Sequence, residues 1–378
     1  MKLSTSLRSL AAASLVVGVG VATSLAAGAD APRDNAHALF VLTDNAGSNS
    51  VLSYARSSDG SVALAGTYAT GGLGAVAAGA VADPLASQGG LALVNGGREL
   101  IAVNPGSNTI SVFGVDGTHL YLQQQLSSGG LFPNSVASSG DLVAVLNAGG
   151  AGSVAEFRLR DGWLHPLRNQ VRSLGLSNTP VPNFLRPPGQ VGYTPDGSHL
   201  VVTTKLSTNA FDVFSVGDDG QLGASPTVTP ALNAVPFAFN FDAAGHLVSA
   251  EASTSSVSTY VVNADGSLTP IGTVSDGAKA LCWISSANGY VFGDNAGSAS
   301  VSSFSESASG APTLVAASAA TAHAGTTDST VSPDGTTLYV ESGGAGTLDV
   351  YQIGAQGSLT PVETLFNIPV ASEGIVAS

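Results

Sequence analysis

Seven copies of one strand-rich unit, a glycine-rich and charge-poor composition, and a complementary pair of incomplete chain ends predict an all-β fold, a seven-bladed β-propeller closed by its C-terminal strand. The chain has 378 residues, of which 47 are glycine and only 10% are charged. Such a composition disfavours long solvated helices and suits many short strands joined by turns. Each unit reads as an apolar strand, an Asp-Gly-type turn, a second apolar strand, a small polar loop, and an alternating strand ending in an aromatic residue. The alternating strand is the clearest element, as in Ser50–Tyr54, Thr109–Phe113, Ser153–Phe157 and Ala210–Phe214, then Ser256–Tyr260, Ser300–Phe304 and Thr347–Tyr351. The shorter spacings between the closing aromatics are 44 to 47 residues, room for four strands and their turns. Period-two alternation puts each aromatic on the apolar face, where neighbouring blades pack.

Two spacings are longer, near 59. The added residues lie around Gly71–Gly90, rich in glycine and alanine, and around Arg168–Pro188, rich in proline. Both precede an innermost strand, and loops of that length in a compact fold are more often functional than idle. The first unit lacks its first strand, since Leu39-Phe40-Val41-Leu42 matches the second strand of later units. The last residues, Ser372–Ser378, resemble a first strand with nothing after it. Pairing the two ends would complete blade 1 and shut the ring without a disulfide, which the single cysteine, Cys282, could not form within the chain. Cys282 lies in an apolar strand-like run, Ala280–Ile284, and reads as a buried structural thiol.

The chain begins with a cationic stretch containing Lys2 and Arg8, an apolar run from Leu10 to Leu25, and a small-x-small site at Ala27-Gly28-Ala29. This is the layout of a secretory signal peptide over residues 1–29, followed by a short segment to residue 37 and one domain over 38–378. The expected product is secreted or extracytoplasmic, with no stable membrane insertion, and acts as a monomer. The export segment carries two cations and no acids, so its removal leaves ten Lys plus Arg against 26 Asp plus Glu, a formal charge of −16. So acidic a surface argues against nucleic acid as a partner.

Val331-Ser332-Pro333-Asp334-Gly335-Thr336-Thr337-Leu338-Tyr339-Val340 and its relative Tyr193–Val202 resemble the SPDG-x-x-LYV (YVTN-type) repeat of lactonase-type propellers, the group that includes 6-phosphogluconolactonase and the carboxymuconate cyclases. Asp265–Pro270 and Gly357–Pro361 match that group's recurrent outer hairpin. The resemblance covers all seven units and implies the propeller fold and, by extension, lactone chemistry. The family's site residues are replaced. Asn134 stands where the family has a histidine, Gln190 ends a Pro187-Pro188-Gly189-Gln190 stretch lacking the family's Arg and His, and Lys205 replaces an acid.

In a propeller, loops before first strands and loops after second strands emerge on one face. The residues at the second-strand ends, Asn45, Asn104, Asn147, Lys205, Glu251, Asn295 and Glu341, are therefore expected to form a polar ring on that face. Six of the mature chain's cations, Arg158, Arg160, Arg168, Arg172, Arg186 and Lys205, fall within 48 residues. Arg158 and Arg160 are expected to partner acids elsewhere, whereas Arg186 and Lys205 flank the expected mouth and are candidate anion ligands. Trp283, at the start of a first strand, is a candidate stacking residue at the channel mouth. No metal-binding spacing, phosphate loop or nucleophile motif occurs, and no cofactor is implied. Two readings follow. In the first, the protein binds a small anionic molecule or a protein partner through the face bearing Arg186, Lys205, Glu251 and the long loops. In the second, it is an active lactone hydrolase or cyclase with a rearranged site, Glu251 serving as base while Arg186 and Lys205 polarise the carbonyl.

Overall fold

The computed structural model describes residues 37–231 and 234–378. The proposed export segment and the residues following it to 36 lie outside the described residues. The domain consists of seven four-stranded antiparallel sheets. From blade 1 to blade 7 the innermost strands are Ile375–Ala377, Leu91–Val94, Pro133–Ser139, Gln190–Tyr193, Pro236–Phe241, Leu281–Ala287 and Asp328–Val331. Among the described residues no helix is long and apolar enough to cross a membrane.

The chain ends meet as the sequence predicts. Leu39, Phe40 and Val41 pair antiparallel with Ala377, Val376 and Ile375. The Ala38 N–H donates to Ser378 Oγ at 2.9 Å, and the Ser378 N–H to the Ala38 carbonyl at 2.8 Å. Arg56 ties this seam to blade 7, its Nε donating to Tyr339 Oη at 2.9 Å and its Nη1 to the Ser378 carbonyl at 2.5 Å. Tyr339 Oη donates in turn to the Gly60 carbonyl at 3.0 Å. Gly60 has φ of 88°, and a Cβ built there would stand 2.8 Å from Thr337 Oγ1. Glycine is therefore required twice over, by the Asp-Gly turn and by the neighbouring blade.

The repeat's turns follow from side-chain chemistry. Asp334 Oδ1 accepts hydrogen bonds from the hydroxyls of Ser332 and Thr336 and from the Thr336 N–H, while Gly335 takes a positive φ. Those donors hold the Asp334 carboxyl down at about 2, and Asp196 in the equivalent turn of blade 4 is held there in the same way. Six of the seven closing aromatics are buried between blades; Tyr260 is half-buried.

One long insertion differs from its expected bounds. Arg168–Ser173 continues the outer strand Trp163–Ser173, so the irregular stretch begins at Leu174. Both irregular stretches cross the same face and are joined there: the Ala78 N–H donates to the Pro182 carbonyl at 2.8 Å, and the Phe184 N–H to the Ala78 carbonyl at 3.1 Å. Ala77, Phe132 and Ala148 form a small apolar cluster beneath them.

Removing residues 375–378 should leave blade 1 with an open edge. The expected result is a fall in thermal midpoint of roughly 10 °C or more, or loss of a single cooperative transition, followed by circular dichroism.

Candidate functional site

Seven sheets arranged as wedges leave an axial channel, and the chain fills its middle. The segment Asp83–Gln88, at the inner end of the first long loop, crosses the axis and is held by several blades. Glu373, in the lead-in to the blade 1 inner strand, accepts from the Leu85 N–H at 2.6 Å and the Ser87 N–H at 2.9 Å. Asn134 of blade 3 donates its amide to the Leu85 carbonyl at 3.5 Å and the Pro188 carbonyl at 2.8 Å. Lys205 of blade 4 donates Nζ to the Ala86 carbonyl and, at 3.2 Å, to the Phe184 carbonyl. Trp283 of blade 6 donates Nε1 to the Ser87 carbonyl at 2.8 Å. Gln88 completes the seat, its Nε2 donating to the Ile284 carbonyl at 2.9 Å and its Oε1 accepting from the Ile284 N–H at 3.2 Å. Leu85, Ala86 and Ser87 are consequently buried.

On the loop-bearing side of this plug lies a cavity of about 460 Å³, within the size range of small-molecule sites. Its walls are apolar: Phe184, Leu185, Leu206, Val235 and Phe237 face Trp283, and Val81 and Ala82 lie at the plug's edge. The Phe237 and Trp283 rings meet edge to face with centroids 5.0 Å apart. Val235 and Ala280, each just before an inner strand, have φ of 59° and 58°. Their carbonyls accept from the N–H groups of Ala252 and Ala296, just beyond the adjoining second strands. For β-branched Val235 that backbone is strained, and the strain helps shape the wall. The polar end of the cavity holds Lys205, Asp83 and Cys282.

The electrostatics of that end follow from burial. The Lys205 ammonium lies 4.3 Å from the centre of the Phe237 ring. Burial pushes its pKa down to about 8, against the opposing pull of Asp83 and Glu373. The Asp83 and Glu373 carboxyls lie beside each other at this end, buried and interacting. Burial first, and the neighbouring Asp83 second, push Glu373 well above the usual carboxylate range. Burial pushes the Cys282 thiol far up as well, so it is not a thiolate nucleophile. Among the described residues no group of three or more His, Cys, Asp or Glu is disposed to hold a metal ion.

The site residues expected from the sequence are thus distributed. Lys205 and Trp283 line the cavity together, and both are engaged with the plug. Asn134 lies beneath the plug, fully buried. Gln190 lies on the plug's other side, its Oε1 accepting from the Phe239 N–H at 2.7 Å. Arg186 is exposed outside the cavity, although its neighbour Leu185 is at the rim. Glu251 is buried within blade 5, its Oε1 accepting from Tyr260 Oη at 3.2 Å, and does not reach the cavity.

The expected polar ring is not displayed on the face. Asn104, Asn147, Glu251, Asn295 and Glu341 are buried at the ends of their second strands, and Lys205, on the short helix Lys205–Thr208, is buried in the channel. Asn104 and Asn295, for example, each donate Nδ2 at 2.8 Å to the hydroxyl of a third-strand serine, Ser111 and Ser302. Asn45 is exposed, since the turn between Leu42 and Ser50 is longer than its counterparts. Arg158 pairs with Asp141 at 2.8 Å, as expected of a surface cation; Arg160 is exposed. Sequence reasoning missed Asp83, Ser87, Gln88 and Glu373. The first three share one signal, a polar Asp-Pro-Leu-Ala-Ser-Gln run between glycine-rich flanks, and Glu373 has none.

Fold and site together define a seven-bladed propeller whose channel is divided by its own chain, with an apolar cavity on one face. No protein-family model and no curated protein matches the sequence. Solved structures do match the fold. A candidate 6-phosphogluconolactonase from Bacteroides fragilis superposes with a TM-score of 0.69 at 18% identity, covering 93% of this chain and 100% of that one. The periplasmic gluconolactonase PpgL of Pseudomonas aeruginosa gives 0.69 at 20% identity, covering 90% and 98%. A virginiamycin B lyase of Staphylococcus aureus gives 0.51 at 14% identity, covering 75% and 84%. The fold is therefore that of the lactonase-like propellers, and at these identities the likeness is one of fold alone.

Buried carboxyls make stability depend on pH. Burial raises Glu251 to about 8, and Glu156 and Asp294 to about 7. A raised carboxyl contributes fully below its unfolded pKa, and the contribution is lost as pH rises through the folded value. Lys205, depressed to about 8, acts in the opposite sense only above that pH. The thermal midpoint should therefore be higher at pH 5 than at pH 8, and Glu251→Gln should reduce the difference. Separately, Glu373→Ala should speed amide exchange of residues 85–88 by at least about tenfold, measured by hydrogen–deuterium exchange, because two N–H acceptors are lost.

Proposed function

We propose that this protein acts outside the cytoplasm as a small-molecule binding propeller rather than a lactone hydrolase. Its ligand is predominantly apolar with one polar end. The observation that carries this reading is the plug. Asp83–Gln88 engages Lys205, Asn134, Trp283 and Glu373, so the polar groups at the centre of the channel are bound to the protein's own backbone. What remains beside them is an apolar cavity whose rim residues Leu185 and Leu206 are about half exposed.

Catalysis would need a base or nucleophile with access to the cavity. Glu251 is enclosed against Tyr260, and the Cys282 thiol holds its proton. An anion would gain little from Lys205, which already faces two carbonyls and two neighbouring carboxyls. A neutral hydroxyl or carbonyl could meet Lys205 and Asp83 together, and an apolar body would lie against Phe237 and Trp283.

Decanol and decanoate separate the neutral and anionic versions of this reading. In a Trp163→Phe variant the remaining tryptophan, Trp283, reports occupancy by fluorescence. Decanol should bind saturably and decanoate about tenfold more weakly, whereas tighter decanoate binding would restore the anionic ligand. Leu206→Asp, at the exposed rim, should weaken decanol by about tenfold without loss of fold. A panel of sugar and aliphatic lactones should show no turnover above the uncatalysed rate. Turnover abolished by Glu251→Gln would instead establish the enzyme.

A further inference from the structure

The plug has a second side. Along each inner strand the lining changes as the chain passes it. In blade 5, Phe237 faces the apolar cavity and Asn240 lies beyond. In blade 6 the change is from Trp283 to Ser285 and Ser286, and in blade 7 from Thr326 to Thr330. Beyond Gln88 the channel is a separate cavity of about 390 Å³ that opens on the opposite face. Because Gln88 is bonded to both backbone groups of Ile284, this cavity is a blind cup.

The cup's chemistry differs from that of the apolar cavity. No lysine or arginine lines it, and its one acidic residue, Asp328, is buried with its Oδ1 accepting the Ser329 N–H at 2.8 Å. Hydrogen-bonding side chains come to it from successive blades. Gln190 uses Oε1 on the Phe239 N–H, and among the described residues no intrachain hydrogen bond uses its amide nitrogen. Asn240 donates Nδ2 to the Ile284 carbonyl at 3.0 Å and to Ser286 Oγ at 3.4 Å, leaving its Oδ1 as an acceptor. Thr330 adds a hydroxyl that makes no intrachain bond among the described residues. Phe241 from blade 5 and Ile375 from blade 1 add apolar lining at separate points of the cup.

We propose that this cup is a second binding site, for a neutral polyhydroxylated molecule of monosaccharide to disaccharide size. Alternating donors and acceptors suit vicinal hydroxyls, each of which both donates and accepts. The apolar lining contributed by Phe241 suits the C–H face of a sugar ring. The lack of a lining cation removes what an anion would need to offset its desolvation. The site is independent of the apolar cavity, since the two share no lining residue.

The test uses the 30–378 chain with D-glucose, maltose and gluconate as probes, followed by ligand-observed NMR and calorimetry. Glucose or maltose should bind saturably at millimolar concentration or below, and gluconate about tenfold more weakly than glucose. Thr330→Val removes the hydroxyl at nearly constant volume, and Ser286→Phe fills the mouth from an exposed position. Each should weaken sugar binding by about tenfold or more, while Leu206→Asp on the other face leaves it unchanged. Absence of saturable binding of both sugars at tens of millimolar would overturn the proposal. So would affinity unaltered in both cup variants, or gluconate binding more tightly than glucose.

Discussion

A ring of seven sheets leaves a hole on its axis, bordered by the free edges of seven inner strands. Backbone groups on those edges need partners, and the filling of the hole organises this molecule. Side chains supply many of the bonds: Gln88 pairs with Ile284, Gln190 with Phe239, and Ser135 Oγ with the Val191 N–H. The first long loop carries the remainder inward as the Asp83–Gln88 plug. Once the plug is seated, the channel is two compartments, an apolar one towards the long loops and a polar one towards the opposite face.

This constraint also explains the buried charges. Lys205 projects into the channel, where it meets the Ala86 carbonyl and the field of Asp83 and Glu373. A buried ammonium without such partners would be very costly. Lys205 and the plug are thus best understood as one unit, in which the lysine fixes the segment and the segment satisfies the lysine. Asn134 belongs to the same unit, its amide reaching the Leu85 and Pro188 carbonyls.

Likeness to gluconolactonases here is a likeness of fold. Propeller repeats specify turns and interblade packing through residues such as Asp334, Gly335 and Tyr339, and these constrain the ring without constraining what its channel holds. In this chain a single long loop at the start of blade 2 supplies the segment that fills the channel.

The sequence by itself determined the ring. Seven alternating strands with closing aromatics, Asp-Gly turns and complementary chain ends are local patterns, and local patterns are legible because they act through period-two alternation and turn chemistry. It also marked the loop that enters the channel and named Lys205 and Trp283, which line one cavity. Only the tertiary structure decided what those residues touch. Glu373 lies 288 residues from Leu85, and Trp283 lies 196 from Ser87; no spacing rule links positions so distant. The burial of Glu251 and the exposure of Arg186 were likewise set by strand-end orientation and loop path. Strand-end orientation and loop path are three-dimensional properties that spacing along the chain does not carry.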